Sequence, residues 1–215
     1  MMKMKNLGRI LGCGLIVLGL LACAEHPNEN KSVEEVDLNE NIKFQSVKDY
    51  TPFVNQGQKM VHETQGVMAQ KLMGAMSEGG PINAIEFCNK NVAGISDSLS
   101  QFHGAQISRA SDKPRNPSNK ASDVEIKSID SLKALKAAGA SLTPISFETE
   151  NQVITHYPIP TAGMCLKCHA DTQKTISSAV QQKLQSLYPE DMATGYQVGD
   201  IRGIWVVKMD KDIQK

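Results

Sequence analysis

The sequence lacks an excess of charge of either sign, and it is poor in aromatic residues. Its 215 residues include 23 lysines and arginines and 23 aspartates and glutamates, and aromatic residues make up 5% of the chain. A balanced charge is neither the electrostatic pattern of a nucleic-acid-binding protein nor a strongly acidic docking surface. The chain also has no apolar run of the roughly 20 residues that a membrane-spanning helix needs. We therefore expect a globular domain that does not bind nucleic acid.

The longest apolar run lies at the amino terminus and predicts export. Ile10 to Leu21 is apolar and follows the basic residues Lys3, Lys5 and Arg9. A basic segment before an apolar stretch of roughly 7–15 residues is typical of a secretory signal peptide. We predict that residues 1–22 are such a signal and are removed.

The end of this signal resembles a bacterial lipobox. In Leu20-Leu21-Ala22-Cys23, the cysteine would be acylated and become the first residue of the mature chain. Ordinary signal cleavage, with Cys23 incidental, is the alternative. The polar residues 23–45 then form a flexible tether, because they have few periodic apolar positions. We expect an exported protein that is lipid-anchored on the periplasmic or outer side of a bacterial membrane. Without the three basic residues of the signal, the mature chain has 20 basic and 23 acidic residues and a net charge of −3.

The five cysteines can be assigned almost completely. Cys13 leaves with the signal and Cys23 is assigned to lipid, while Cys165 and Cys168 belong to the motif Cys165-Leu166-Lys167-Cys168-His169. Cys88 remains as a single free thiol in an oxidising compartment.

The motif has the spacing of a c-type haem attachment site. Its two cysteines can form thioether bonds to the two vinyl groups of a haem, and the adjacent imidazole is then held close to the iron. We predict one covalently attached haem c, with Cys165 and Cys168 as attachment points and His169 as the proximal ligand. Two interpretations without haem stay open: a dithiol redox pair, and a zinc site that would also need a fourth ligand such as Cys88.

The first part of the domain has the periodicity of two helices. Apolar residues recur at three- and four-residue steps over about 50–77, which predicts an amphipathic helix. Gly79-Gly80-Pro81 ends it and starts a second helix. In that helix Ile85, Cys88 and Val92 share a face, so Cys88 is expected to point toward the interior.

Strand patterns come later in the chain. An alternating segment at 105–110 predicts a short strand, and two more strands, at 144–150 and 152–157, are separated by a turn. Residues 201–209 are apolar on both faces, which predicts a central strand.

Two further helices accompany these strands. Ser122 and Glu125 form a capping box that opens a helix, and Gly139 ends it. Spaced apolar residues predict another helix over about 176–187. Long helices first and a strong strand last indicate an α+β domain over residues 46–215, with the helices packed on an antiparallel sheet.

Several blocks of this sequence resemble a known family, the exported single-haem c-type domain with a PAS-like fold. The match spans about 58–209 and is carried by five blocks: Ala84-Ile85-Glu86-Phe87-Cys88, Arg109-Ala110-Ser111, Lys113 to Asn119, Cys165 to His169, and Ala193 to Gly203. The resemblance implies a five-stranded PAS-like sheet with the haem held against it. It also implies that His169 and Cys88 are the two axial ligands, and it implies no settled activity.

The residues themselves leave the sixth iron ligand open. Cys88 is the unassigned thiol on an apolar helical face, and the alternatives are His62, His103, His156, a methionine or an open position. Cys88 could equally be a small buried hydrophobic residue. The methionines at 60, 68, 73 and 76 lie on a helical stripe and are expected in the core, as is Trp205.

Three arginines are candidates for pairing with haem propionates, since a guanidinium fork matches a carboxylate. They are Arg109, Arg115 and Arg202. For Arg115, a solvated turn formed around Asn116-Pro117 is the alternative, and for Arg109 and Arg202 an ordinary role without haem is the favoured interpretation. Lys113 is interpreted as surface charge.

We expect a non-enzymatic redox protein, and electron transfer is the favoured role. Its partners would be redox proteins of unknown identity, and the lipid anchor would attach it to the membrane. The alternative is a periplasmic haem-based redox or gas sensor module acting through a partner protein, since the chain shows no kinase, cyclase or methyl-accepting segment. Peroxide reduction would need a distal acid–base group, and no distal His–Arg pair can be assigned.

Overall fold

The computed structural model describes residues 49–172 and 174–214, and for residues 213 and 214 it describes the backbone alone. The predicted signal, Cys23 and the tether lie outside these residues. Within the described residues no helix is long and apolar enough to cross a membrane.

A long helix with an internal break, α1, spans Thr51–His103. The break falls at the predicted position: Gly79 and Gly80 have non-helical dihedral angles, and Gly80 adopts a φ of 66°. Only glycine takes this left-handed conformation without strain. The Asn83 side chain donates to the Ala75 carbonyl at 2.9 Å across the break. The two helices predicted from sequence are therefore two segments of α1, at an angle set by the glycine pair.

Four antiparallel strands form the sheet, which confirms the α+β class. They are β1 (Gln106–Ala110), β2 (Ile145–Glu148), β3 (Gln152–Pro160) and β4 (Ile201–Asp210), in the order β1-β4-β3-β2. The strand predicted to be central, β4, lies between β1 and β3 and is buried along most of its length.

The five-stranded sheet implied by the resemblance is not formed by the described residues. After β1 the chain makes one isolated bridge, between Ser111 and Lys120, and no further strand before the helix that begins at Asp123. Pro114 and Pro117 lie in between, and because proline has no N–H donor this segment cannot continue a ladder.

Helices cover both faces of the sheet. The first segment of α1 packs on one face, in a cluster that includes Met60, Met68 and Trp205. α2 (Asp123–Ala137) packs on the other, with Ile129 and Leu132 fully buried. The predicted capping box is present, and the Ser122 N–H donates to Glu125 at 2.7 Å. Met60, Met68 and Trp205 are core residues as predicted, but Met73 is 51% exposed, because the stripe rotates away from the sheet.

The motif helix and the last helix pack against the second segment of α1. α3 (Leu166–His169) and α4 (Ser178–Leu187) follow β3 in the chain. Ile85 of α1 lies in one cluster with Ala170, Val180 and Leu184, and Cys168 packs against that cluster. An ion pair between Glu86 and Lys183 joins α1 to α4. The packing therefore brings the helix that carries Cys88 to the Cys-X-X-Cys-His motif.

Candidate functional site

The motif cysteines lie where a single turn of 3-10 helix runs into α3. Cys165 ends that turn, and Cys168 and His169 end α3. Residues three apart on a helix share a face, so the two thiols project to the same side. All three side chains are half-buried, and neither thiol is in a disulfide.

The imidazole of His169 is fixed by a backbone carbonyl. Its Nδ1 lies 2.8 Å from the Ala193 oxygen, a hydrogen bond in which Nδ1–H must donate. A donating Nδ1 leaves the lone pair on Nε2, the atom through which a histidine so oriented binds a metal. Burial, together with the charges of Arg115 and Arg202, lowers the pKa of His169 well below its ordinary value. A lowered pKa favours the neutral imidazole, which is the form in which histidine binds a metal.

The loop that carries Ala193 runs alongside the motif. The Tyr196 N–H donates to the His169 carbonyl and the Gly195 N–H to the Ala170 carbonyl, each at 3.0 Å. Lys113 also binds this loop, since its Nζ donates to the Thr194 carbonyl at 2.6 Å. The Lys113 ammonium also lies 4.7 Å from the centre of the Tyr196 ring. The Lys113 side chain is therefore half-buried and contacts both Thr194 and Tyr196, and the interpretation of Lys113 as surface charge was wrong.

Arg115 connects the motif to the segment before the loop. Its Nη2 donates to the Cys168 carbonyl at 2.6 Å and to the Ala193 carbonyl at 3.3 Å, and its Nε pairs with Asp191 at 3.0 Å. The guanidinium is therefore not in a solvated turn. It braces the attachment helix, while its predicted contact with a cofactor stays a prediction.

Cys88 lies in the same neighbourhood as the motif. Burial raises the pKa of the Cys88 thiol, and the positive charge of Arg109 acts in the opposite direction, with smaller influences from Cys168, Arg115 and Arg202. Cys88 is therefore close enough to Cys168 and to the three arginines for their charges to influence it. The predicted inward orientation of Cys88 agrees with this placement, and its ligand role stays a prediction.

The three alternative histidines lie in other parts of the fold. His62 is exposed on α1, and His103 lies at the end of that helix with Nε2 3.4 Å from Glu63. His156 is only 1% exposed and its Nδ1 lies 2.8 Å from the Ser128 hydroxyl of α2, on the opposite face of the sheet from Trp205. Burial lowers the pKa of His156.

Neither Arg109 nor Arg202 has a carboxylate partner among the described residues. Arg109 of β1 lies 5.6 Å from the centre of the Trp205 ring, and the Arg202 Nε is buried with no hydrogen-bond partner in the described part of the chain. Burial, with the neighbouring charge of Arg202, lowers the pKa of Arg109 to about 10. Two buried guanidinium groups whose charges influence each other favour a nearby anion.

The backbone of β4 approaches that of β1 closely next to Arg202. A Cβ atom at Gly203 would lie 2.5 Å from the Ala110 carbonyl oxygen, so the residue after Arg202 must be glycine for β4 to reach β1. The Ser111 hydroxyl then donates to the Arg202 carbonyl at 2.7 Å.

The non-haem interpretations are not supported by the geometry. Across residues 49–172 and 174–214, no three histidine, cysteine, aspartate or glutamate side chains are grouped so that they could hold a metal ion. The four ligands of a zinc site are therefore not assembled there. The motif also follows an antiparallel strand, whereas a thioredoxin-like pair would lie in a βαβ unit.

Comparison with known proteins agrees with this arrangement. A family model described as Tll0287-like (Tll0287) matches residues 29–210. The chain belongs to the Tll0287-like family. This membership confirms the resemblance inferred from the five sequence blocks.

A solved structure supports the fold of this Tll0287-like chain. The crystal structure of the cyanobacterial heme-protein Tll0287 aligns with a TM-score of 0.54 and 21% sequence identity, covering 73% of this chain and 96% of that one. Among curated proteins, the comparison finds no match.

Sequence reasoning alone missed several supports of the site. Asp191, which holds Arg115, and Tyr196, whose ring packs edge-on at 6.4 Å from His169, were not singled out. The signal that could have found Tyr196 was its place in the block from Ala193 to Gly203, which lies directly against the motif.

Proposed function

We propose that this protein is an exported c-type cytochrome that carries one covalent haem and transfers electrons. In this proposal Cys165 and Cys168 would form the thioether bonds, and His169 and Cys88 would bind the iron. The observation that carries the proposal is the hydrogen bond from His169 Nδ1 to Ala193, because it leaves Nε2 ready for iron next to two free thiols. The aligned cyanobacterial protein, described as a heme-protein, supports the same cofactor.

The residues around the motif fit a haem. A haem supplies one-electron chemistry at its iron and two negatively charged propionates. Arg109 and Arg202, unpaired with any carboxylate of the described residues, are the groups suited to hold those propionates. Arg115 contributes by holding α3, since its donors already bind Asp191 and the Cys168 carbonyl.

Electron transfer is favoured by the way both axial residues are held. His169 is fixed by Ala193, and Cys88 follows Glu86, whose ion pair with Lys183 fastens α1 to α4. A carrier works best when its ligands stay in place. A thiolate also stabilises ferric iron, so we expect a low reduction potential.

A sensor is the second candidate, and the break in α1 favours it. Gly79 and Gly80 separate the helical segment that carries Cys88 from the segment that packs on the sheet. A change of the sixth ligand could therefore be accommodated by one segment of α1 and passed to a partner protein.

We further propose that the mature chain is anchored through a lipid on Cys23, on the outer side of the cytoplasmic membrane or in an outer membrane. The apolar run from Ile10 to Leu21 and the lipobox-like end support this. In cell fractionation, Cys23→Ala is expected to move the protein from the membrane to the soluble fraction.

The attachment site is tested by covalent haem in denatured protein. Wild type, matured alongside the haem attachment machinery, should retain haem on a denaturing gel, and the double variant Cys165→Ala/Cys168→Ala should not. Cys88→Ala is the matched control, because it removes a thiol from the same neighbourhood but not from the attachment motif, and it should keep covalent haem. A double variant with denaturation-resistant haem would refute the attachment site.

A further inference from the structure

A cavity is lined by three lysines and by Tyr196. Its volume is about 400 Å³, and it lies between α2 and the loops that precede α2 and β4. The charged and hydroxyl groups that line it are Lys113, Lys133, Lys136, Tyr196 and Asp200. It is distinct from the candidate haem site, although the Tyr196 ring is common to both.

The lysines of this cavity have donors to spare. Lys113 donates to the Thr194 carbonyl, Lys133 pairs with Asp112, and Lys136 pairs with Asp200 at 2.7 Å. Each ammonium has three N–H donors, so one bond apiece leaves several donors on each side chain for a further acceptor. Three ammonium groups against the two carboxylates that pair with them, Asp112 and Asp200, leave one unpaired positive charge, that of Lys113.

Tyr196 adds a neutral donor to these cations. The residue is 8% exposed, and its buried hydroxyl completes no hydrogen bond of good geometry within the described residues. The Ser111 hydroxyl donates to the Arg202 carbonyl, and its oxygen lies near enough to Tyr196 to be a weak acceptor for the phenol. Burial raises the pKa of Tyr196, so its hydroxyl keeps its proton. A buried phenol whose hydrogen bond is poorly formed is stabilised when a ligand or solvent oxygen accepts from it.

We propose that this cavity binds a small oxyanion, a carboxylate or a phosphate, through the ammonium groups of Lys113, Lys133 and Lys136 and the hydroxyl of Tyr196. A compact anion with several oxygens can accept from the spare lysine donors and from the phenol together. Ammonium groups bind such oxygens as point charges, without the paired geometry that a guanidinium imposes. The site therefore selects charge and size rather than one shape.

The test is isothermal titration calorimetry on the full matured chain at low ionic strength. The probes are inorganic phosphate, acetate, succinate and citrate, each compared with sodium chloride at equal ionic strength, because salt screens such contacts. Saturable binding of at least one probe is expected, with a Kd below about 1 mM. Binding of phosphate alone identifies a phosphate site, and binding of the organic acids alone a carboxylate site. Calorimetry reads binding with or without haem, so its failure is distinct from failure of the proposed cytochrome function.

Matched variants of α2 separate the cavity from general charge. Lys133→Met should weaken binding about tenfold or more, since it removes a charged hydrogen bond to the anion. Lys127→Met makes the same charge change at an exposed position of the same helix and should leave the Kd unchanged. Lys136→Met provides a second cavity variant if Lys133→Met does not fold. The proposal is overturned if no probe gives saturable heat, if chloride reproduces it, or if Lys127→Met weakens binding equally.

Discussion

His169 and Ala193 are joined by a 2.8 Å hydrogen bond from the imidazole Nδ1 to the carbonyl oxygen, although 24 positions separate them in the chain. The bond fixes the tautomer of the histidine and the direction of Nε2. It depends on the loop staying against α3, and that loop is held by Arg115 and Lys113. The candidate site is therefore a property of three separate chain segments.

Arg115→Met tests the bracing role of this arginine. The change removes the ion pair with Asp191 and the hydrogen bond to the Cys168 carbonyl. The largely buried Asp191 carboxylate is then left without its arginine partner. We expect the free energy of unfolding to fall by about 1–3 kcal/mol in urea denaturation. Lys120→Met, at an exposed position of the same loop, should change it by less than about 0.5 kcal/mol. Equal stability of the two variants would contradict a bracing role.

Arg109→Gln tests the pairing of this cation with the haem propionates. Loss of a positive charge beside the cofactor disfavours the added electron, so the midpoint potential should fall, by roughly 20–60 mV. Lys127→Gln on the exposed side of α2 is the control and should leave the potential unchanged. A redox titration measures both, and an unchanged or raised potential in Arg109→Gln would exclude the pairing.

Gly80→Ala tests the break in α1. A Cβ atom in the left-handed conformation is strained, so the free energy of unfolding should fall by about 1–2 kcal/mol. Gly94→Ala, at an exposed helical position of the same element, should instead raise it by about 0.5–1 kcal/mol. Chemical denaturation of both variants checks the opposite signs. A stabilised Gly80→Ala would mean that α1 runs straight through this point.

Asp200→Asn tests a pH-dependent contribution to stability. The hydrogen bond from Lys136, then that from the Gln197 N–H, holds the pKa of Asp200 below its ordinary value. A lowered pKa means that the carboxylate stabilises the fold above the unfolded pKa, near 4. This contribution is lost as the pH falls through the folded value. Wild type should therefore be more stable than the variant at pH 7, with the difference vanishing in acid. A difference in the thermal midpoint that persisted at low pH would contradict this origin.

Local pattern was enough to predict part of this structure. The break at Gly79-Gly80, the central position of β4 and the inward face of Cys88 follow from glycine chemistry and apolar periodicity, which act within a few residues. The bonds of Arg115 could not be predicted in this way, because its partners Cys168 and Asp191 lie 53 and 76 positions away. The exposure of Met73 could not be predicted either, because an apolar stripe on a helix does not show where the sheet beneath the helix ends.

The ligand role of Cys88 is tested most directly by the ferric absorption spectrum and low-temperature EPR of wild type and Cys88→Ala. Both proteins are matured with covalent haem. The proposed function predicts a low-spin thiolate signature in wild type, and its replacement by another spin state or ligand spectrum in Cys88→Ala. A histidine–methionine or high-spin signature in wild type, or a ferric spectrum that Cys88→Ala leaves unchanged, would remove Cys88 from the iron.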